Sequence, residues 1–182
     1  EPYRRQRQMC IRDRSYDEES LYELCLAALM HDIGKTKIDP AIINKPARLT
    51  MAEYRLVQEH ARYSYDILDQ NWLMPARTKQ GVLHHHENED GTGYPNRLVG
   101  DEIPPYAKII HVADVYDALT SKRPYKKPYA LSEAIEYLMG GSNVLFDRKA
   151  VEAFLEAVPV YAKGIEVTMT NGEKALVVAN SS

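Results

Sequence analysis

The chain has 182 residues, a length that suits one domain with a single hydrophobic core. Apolar residues make up 45% of it and charged residues 27%, a composition that excludes disordered and fibrous proteins. The net charge of -3 argues against binding to a nucleic-acid backbone, and the longest apolar run, residues 24–30, is too short to cross a membrane. We therefore expect a cytoplasmic protein without direct nucleic-acid or membrane binding.

The first 14 residues differ in charge from the rest of the chain. They contain five arginines against two acidic residues, and residues 9–14 look like a translated transposase-adapter sequence. We interpret residues 1–14 as a non-native or linker segment and leave them out of the fold prediction. We expect a helical domain over residues 15–158 and a tail over residues 159–182.

Helical signals begin at Ser15. A Ser15-x-x-Glu18 capping box followed by apolar residues at helical spacing predicts a helix that ends at Gly34. A second capping box, Thr50-x-x-Glu53, opens a long predicted helix that reaches residue 68. The apolar stripe of this second helix includes His60, so the sequence predicts that His60 points inward.

The rest of the chain contains four more predicted helices and a β-hairpin. Pro75 suits the first turn of a helix that runs into the histidines at 84–86. The next predicted helices cover residues 106–121, 131–139 and 147–157, and the first of these carries Asp114 and Asp117 on its inward side. Residues 165–170 and 174–179 flank Asn171-Gly172, which predicts a β-hairpin.

The histidines are the main functional clue. All six lie between His31 and His111, and an inward His taken alone is more often a core residue than a ligand. Here, however, they accompany Asp32 and Asp114, and buried carboxylates are costly unless they are paired or bound to metal. Imidazole and carboxylate ligands without thiolate suit iron, manganese or zinc better than calcium.

Residues 84–86 cannot all reach one metal cluster. Successive helical side chains diverge by about 100°, so three adjacent histidines fit only if the helix is already unwinding. Two of them can reach the cluster while the third points away, and the spacing alone does not decide which.

Two motifs then suggest a family. Residues 31–35 and 85–95 are similar to the paired signatures HDxGK and HHExxDGxGYP of the HD-GYP family, and all eight fixed positions of the second signature are present. The resemblance extends from about residue 20 to 158. It implies an all-α HD-domain helical bundle, here with a short C-terminal β-hairpin, that hydrolyses the bacterial messenger cyclic di-GMP at a cluster of metal ions, commonly iron or manganese.

The resemblance also implies roles for individual residues. Lys35 would neutralise a scissile phosphate oxygen beside the metals, and Asp32 would bridge two ions. Tyr94, Arg123 and Lys126 match positions that contact the dinucleotide, although the two basic residues can also be read as a solvated loop. His84 is left outside the site. The implied metal ligands are His31, Asp32, His60, His85, His86 and Asp114.

One departure from the family pattern concerns the first metal. Family members normally carry a further His, often with a Glu before it, on a helix well ahead of the HD pair, and this chain has no His before His31. We therefore interpret the chain as an N-terminally truncated fragment. We expect two ions rather than three.

The implied chemistry is metal-dependent hydrolysis of a phosphodiester by a metal-bridged hydroxide, giving linear pGpG and/or GMP. Two alternatives stay open at this point. A non-catalytic cyclic di-GMP receptor or interaction module is disfavoured by the intact ligand set, and an HD phosphohydrolase acting on another nucleotide is disfavoured by the complete GYP signature. We expect an upstream sensory or receiver domain in the full protein, and the sequence allows a dimer.

Overall fold

The computed structural model of the chain describes residues 16–121, 128–158, 166–168 and 173–176. Within these ranges the chain forms eight α-helices and one two-stranded β-hairpin, which confirms the predicted fold class. Short 3-10 turns cover Ile33–Lys37 and Gly100–Glu102. The helices are α1 (Glu18–Met30), α2 (Pro40–Ile43), α3 (Met51–Gln58), α4 (His60–Asp69), α5 (Ala76–His84), α6 (Pro105–Thr120), α7 (Leu131–Gly140) and α8 (Arg148–Ala157).

The core is built around α6, whose inward face is buried along most of its length. Helices α5, α7 and α8 pack against it, and α1 packs against α5. Helix α4 lies beside α5 and covers the 3-10 turn at Ile33–Lys37. Fully buried side chains from five helices meet in this core, namely Leu24, Val82, Ile110, Leu138 and Phe154. None of the helices in the described ranges combines the length and apolar character needed to cross a membrane.

Both predicted ends of the first helix are wrong. The N-cap of α1 is Asp17, whose carboxylate accepts a hydrogen bond from the backbone N–H of Ser20 at 2.8 Å. Glu18 is therefore the first helical residue and cannot close the predicted box with Ser15. The helix ends at Met30 rather than Gly34. In the following turn the carbonyl of His31 and the N–H of Gly34 form hydrogen bonds with the Ser64 hydroxyl instead of continuing the helix.

The predicted Thr50 box is confirmed. The Thr50 hydroxyl accepts from the N–H of Glu53 at 3.2 Å, and the Glu53 carboxylate accepts from the N–H of Thr50 at 2.7 Å. The long helix predicted after it is, however, divided at Glu59 into α3 and α4. At this break the His60 imidazole donates to the Val57 carbonyl at 2.6 Å. The Val57 carbonyl therefore has a side-chain partner in addition to those of the regular helix pattern.

The remaining elements agree with the sequence to within a residue or two. Pro75 is the N-cap of α5 rather than part of its first turn. Helices α7 and α8 match their predicted ranges, and Asp147 caps α8 through the N–H of Ala150 at 2.8 Å. Strands β1 (Glu166–Thr168) and β2 (Lys174–Leu176) pair antiparallel, while the predicted turn at Asn171-Gly172 lies outside the described residues. The division into a domain and a tail stays a prediction.

Candidate metal centre

Four helices bring the predicted ligands to one place. His31 directly follows α1, His60 opens α4, and Asp114 lies in the second half of α6. His85 and His86 follow the last residue of α5, where the helix has already ended. This ending frees the two side chains from helical spacing, so both can turn toward the same space.

Three of the histidines are oriented in the same way. In His31, His60 and His85 the Nδ1 atom contacts the backbone carbonyl three residues earlier, at 2.8, 2.6 and 2.6 Å. A carbonyl oxygen only accepts hydrogen bonds, so Nδ1 carries the proton. In the neutral ring Nε2 then has a free lone pair, which is the tautomer that binds metal.

The Nε2 atoms converge on each other. Nε2 of His60 lies 3.3 Å from Nε2 of His85 and 3.1 Å from Nε2 of His86. When His60 and His85 are neutral there is no proton between their two lone pairs, so this contact is not stabilised by a hydrogen bond. Two lone pairs that face each other repel. A cation bound by the three rings would remove this repulsion, because each lone pair would then coordinate the cation.

Asp32 faces both halves of the cluster. Its Oδ1 lies 3.3 Å from Nε2 of His60, and its Oδ2 lies 3.4 Å from Nε2 of His31. Asp114 also approaches His31, with its Oδ1 at 3.7 Å from Nε2. Asp32 therefore presents one oxygen to each of two histidines.

The donor set fits a divalent cation. Two overlapping groups, His60–His85–His86 and His31–Asp32–His85, each present ligand atoms within 4.8 Å of one another. Nε2 of His31 and Oδ1 of Asp32 are buried and have no hydrogen-bond partner among the described residues. Buried polar atoms are seldom left unpaired, so these two atoms indicate a missing ligand. Their chemistry, imidazole nitrogen and carboxylate oxygen, is that of an iron, manganese or zinc site.

The electrostatics of the metal-free cluster point the same way. Burial lowers the pKa of His31, but the carboxylates of Asp114 and Asp32 outweigh it and raise this pKa to about 10. Burial likewise raises the pKa of Asp32, but His31 and Lys35 outweigh it and hold this pKa below its usual value. A proton on His31 thus supplies positive charge where a metal ion would otherwise do so.

The other histidines of the cluster favour the neutral form. Burial lowers the pKa of His60, His85 and His86, and a charge on His31 lowers the pKa of His85 further. Neutral imidazole is the form that donates a lone pair to a metal.

His84 has a different environment from its two neighbours. Its Nδ1 lies 3.0 Å from the carbonyl of Gln80, and its Nε2 accepts from the side-chain amide of Asn96 at 3.0 Å. Both ring nitrogens are therefore satisfied by protein groups. The ring of His84 therefore lies outside the cluster that His85 and His86 enter.

Lys35 and Tyr94 lie at the edge of the cluster. Nζ of Lys35 contacts Oδ2 of Asp32 at 2.5 Å. The Tyr94 ring stacks on His86, with 4.7 Å between the ring centroids, and burial raises the pKa of its hydroxyl. Arg123 and Lys126 lie outside the described residues, so their predicted contacts stay predictions.

Two buried polar residues support the site in ways that the sequence reasoning missed. The Ser64 hydroxyl donates to the carbonyl of His31 and accepts from the N–H of Gly34, each at 2.8 Å. These two bonds hold residues 31–34, which we call the HD turn, against α4. The Glu87 carboxylate is 2% exposed and accepts from the N–H groups of Asn96 and Leu98. The sequence offered one signal for each residue. Glu87 lies inside the second motif, and Ser64 lies on the inward stripe of its predicted helix.

A cavity of about 510 Å³ adjoins the cluster. It lies between the α3–α4 junction and the last residues of the second motif, from Gly91 to Pro95, together with Arg97. Tyr94, which stacks on His86, is one of these lining residues. The lining also includes charged residues of both signs, with Glu59 and Arg62 from α4 and its cap and Arg97 from the loop that follows the motif. The cavity is therefore polar and lies directly beside the candidate metal ligands.

Comparison with known proteins places this arrangement in a family. The HD-domain family model matches residues 3–150. A cyclic di-GMP phosphodiesterase of Pseudomonas aeruginosa is 41% identical over 155 residues, and the 3'3'-cGAMP-specific phosphodiesterase 2 of Vibrio cholerae is 42% identical over 132 residues. Among solved structures, an HDG"Y"P protein from Bdellovibrio bacteriovorus has a TM-score of 0.69 at 17% identity, which shows a common fold.

These matches differ in how much of each chain they cover. The alignments include 85% and 71% of this chain but 37% and 25% of the two phosphodiesterases. The structural match covers 85% of this chain and 49% of the other. The chain thus spans between a quarter and two fifths of the length of these curated relatives.

Proposed function

The chain belongs to the HD-domain family, and from this premise we propose that it is a metal-dependent phosphodiesterase that hydrolyses cyclic di-GMP. The observation that carries the proposal is the cluster in which Nε2 of His31 and Oδ1 of Asp32 are buried without a hydrogen-bond partner among the described residues. The names of relatives that are 41% and 42% identical support a cyclic dinucleotide as the substrate.

We propose that two ions, iron or manganese, occupy the cluster. His60, His85 and His86 would hold one ion, His31 and Asp114 would hold the other, and Asp32 would bridge them. Such ions act as Lewis acids on a phosphodiester and lower the pKa of a water molecule toward neutrality. Six ligands without thiolate are enough for two ions, and we do not propose a third.

The residues of the chain have separate tasks in this proposal. The i−3 carbonyls hold the ring nitrogens of His31, His60 and His85 in the ligand tautomer, so the ligands need no rearrangement. Lys35 places an ammonium beside Asp32, where it can neutralise a phosphate oxygen as negative charge develops. Tyr94 closes the side of the cluster next to the cavity.

The proposal also covers the product, the basic residues near the substrate and the rest of the full protein. The product is linear pGpG and/or GMP, and Arg123 and Lys126 contribute positive charge toward the dinucleotide. In the full protein, the catalytic domain is joined to an upstream sensory or receiver domain and can form a dimer. The greater length of the curated relatives is compatible with such a further domain.

The experiment combines metal content with turnover. The purified chain is loaded with manganese or ferrous iron, its metal is measured by elemental analysis, and cyclic di-GMP hydrolysis is followed by chromatography. Asp32→Asn should lose most of the bound metal and slow hydrolysis about 100-fold or more, because the removed charge serves both ions. Asp69→Asn is the matched control, since Asp69 pairs with Lys79 at the surface.

The alternatives predict other results. Tight binding of cyclic di-GMP by the metal-loaded chain without turnover would favour a receptor. Full metal content in Asp32→Asn would contradict the proposed ligand set. Faster hydrolysis of a different class of nucleotide would reassign the substrate.

A further inference from the structure

We infer that the cavity beside Tyr94 is a subsite for a guanine base, in which Arg62 and Arg97 face the acceptors of the base and Glu59 faces its donors. The inference rests on the proposed function and adds the group that selects the base. It concerns three charged residues that neither motif contains, because Glu59 and Arg62 lie on α4 and its cap, and Arg97 lies beyond the second motif.

The position of the cavity suits one base of a dinucleotide whose phosphate lies at the cluster. Glu59 is adjacent in sequence to His60, and Tyr94 both lines the cavity and stacks on His86. Tyr94 therefore adjoins both the cluster and the cavity, and a ligand anchored at the cluster would reach the cavity past its ring. The volume of about 510 Å³ is in the range of small-molecule sites and exceeds what a single base requires.

The charges of the cavity match guanine better than adenine. Guanine offers two acceptors, O6 and N7, on one edge, and Arg is the side chain that most often reads them. Its N1–H and 2-amino groups are donors, and a carboxylate only accepts. Adenine has an amino donor where guanine has O6, so it would meet the guanidinium groups with the wrong polarity.

The two arginines are available for a ligand. Arg62 and Arg97 are exposed, and within the described ranges neither forms an ion pair with an acidic side chain. Glu59 is exposed and also forms no ion pair there. Two cations and one carboxylate thus line one cavity without neutralising each other through direct contact.

The backbone of Arg97 indicates that its position is imposed by the fold. Its φ is 58°, in the left-handed region that side-chain-bearing residues seldom adopt. The N–H groups of its neighbours Asn96 and Leu98 both donate to the buried carboxylate of Glu87, at 2.7 and 3.1 Å. The second motif therefore holds Arg97 in this conformation at the cavity, and strained positions of this kind are concentrated at functional sites.

Arg97→Gly is the sharpest test because glycine adopts a φ of 58° without strain, so the guanidinium is removed while the backbone is kept. The measured quantity is the ratio of kcat/KM for cyclic di-GMP to kcat/KM for cyclic di-AMP. We expect Arg97→Gly to lower this ratio about tenfold, with a melting temperature at or above that of the unmodified chain. Arg148→Ala is the matched control, since Arg148 pairs with Glu152 on α8, and it should leave the ratio unchanged.

Glu59→Gln tests the opposite edge of the base. An amide can both donate and accept, so it pairs with adenine better than a carboxylate does. With 3'3'-cGAMP, which carries one base of each kind, the unmodified chain should cut mainly one of the two phosphodiester bonds. Glu59→Gln should produce a mixture of both linear products.

Binding of single nucleotides gives a readout that does not depend on turnover. GMP should bind the metal-loaded chain about tenfold more tightly than AMP by calorimetry, and Arg97→Gly should abolish this difference. Unchanged GMP preference together with unchanged base ratios in Arg97→Gly and Glu59→Gln would overturn the inference. If the unmodified chain hydrolyses no cyclic dinucleotide, the proposed function fails, while the GMP and AMP affinities still decide whether the cavity reads guanine.

Discussion

At the scale of single residues, Lys35 is the cation closest to the candidate metal ligands in the described part of the chain. Its Nζ lies 2.5 Å from Oδ2 of Asp32, and its side chain is 40% exposed. An ammonium so placed can serve two purposes, because it can balance the charge of Asp32 or stabilise charge that develops on a phosphate. Kinetic constants separate the two roles.

We expect Lys35→Ala to lower kcat for cyclic di-GMP by about 100-fold to 1000-fold and to leave KM within a few fold. The reason is that the ammonium contributes most when negative charge develops on the phosphate. Steady-state kinetics at matched metal content check this, with Lys79→Ala as the control, since Lys79 pairs with Asp69 away from the cluster. A raised KM with unchanged kcat would assign Lys35 to ground-state binding instead.

The histidines at 84–86 show what sequence reasoning reaches at this scale and where it stops. Helical geometry predicts that one of the three must point away, and the resemblance identifies it as His84. Only the structure supplies the cause, which is that α5 ends at His84 and that Asn96 satisfies its Nε2. The cavity residues Glu59 and Arg97 escaped prediction, because they approach each other only through tertiary packing.

At the scale of elements, the close contact between the HD turn and α4 depends on a glycine. A Cβ atom placed on Gly34 would overlap the backbone of His60 and Ser64. The turn that follows His31 and Asp32 therefore lies directly on the helix that carries His60. The distance between these ligands is set by the absence of a side chain at residue 34.

Gly34→Ala should destabilise the fold by about 1–3 kcal/mol, because backbone atoms must move to admit the methyl group. It should also weaken metal binding, since the displaced elements carry ligands. Gly140→Ala is the control, because nothing lies within 4 Å of a Cβ there, and it should leave stability unchanged or raise it by up to about 1 kcal/mol. Thermal unfolding and elemental analysis measure both effects, and equal stability of the two variants would contradict the close packing.

The start of α3 gives a pH-dependent prediction. Hydrogen bonds from Lys45 and from the backbone of Thr50 lower the pKa of Glu53 from 4.5 to about 2. Because the folded-state pKa is depressed, Glu53 stabilises the fold above about pH 4.5, and this contribution is lost as the pH falls toward 2.

Comparison of the chain with Glu53→Gln checks this. The unmodified chain should have the higher melting temperature at pH 6, and the difference should shrink between pH 4.5 and 2. Glu152→Gln, on the exposed pair with Arg148, should show little difference at any pH. A constant difference across the range would show that the Glu53 charge contributes nothing.

The elements that could be predicted from sequence are those with local causes. The boxes and caps at Thr50 and Asp147 depend on neighbours within three residues, so they are visible in the chain itself. The end of α1 depends on Ser64 from α4, which is distant in sequence. The end of α1 and the break before α4, beside which His31 and His60 lie, were therefore the boundaries that sequence reasoning placed least well.

At the scale of the whole molecule, the cluster ties together parts of the chain that are far apart in sequence. Ligands from α1, α4, α5 and α6 meet in one place, and α6 also forms the centre of the hydrophobic core. Metal binding should therefore stabilise the entire domain, because an ion that binds only the folded state shifts the folding equilibrium by mass action.

The metal-free and metal-loaded chains should also respond to pH in opposite directions. The pKa of His31 is raised from 6.5 to about 10 in the metal-free fold, because the carboxylates of Asp114 and Asp32 outweigh the effect of burial. A raised folded-state pKa stabilises below the unfolded value, so this contribution is complete below pH 6.5 and is lost as the pH rises toward 10. A metal ion must displace the same proton, so its affinity should rise over that range.

We therefore expect the gain in melting temperature from saturating manganese to grow between pH 6.5 and 9. With metal at about 100 times its Kd the stabilisation is about 2.7 kcal/mol, which corresponds to about 5–10 °C for a domain of this size. Calorimetry with and without a chelator measures the gain at each pH, and proton release on metal binding can be followed in weakly buffered solution. Asp32→Asn, which lacks the charge shared by both proposed ions, should show almost no gain. An equal gain in this variant, or a gain that falls as the pH rises, would mean that the stabilising metal binds outside the cluster.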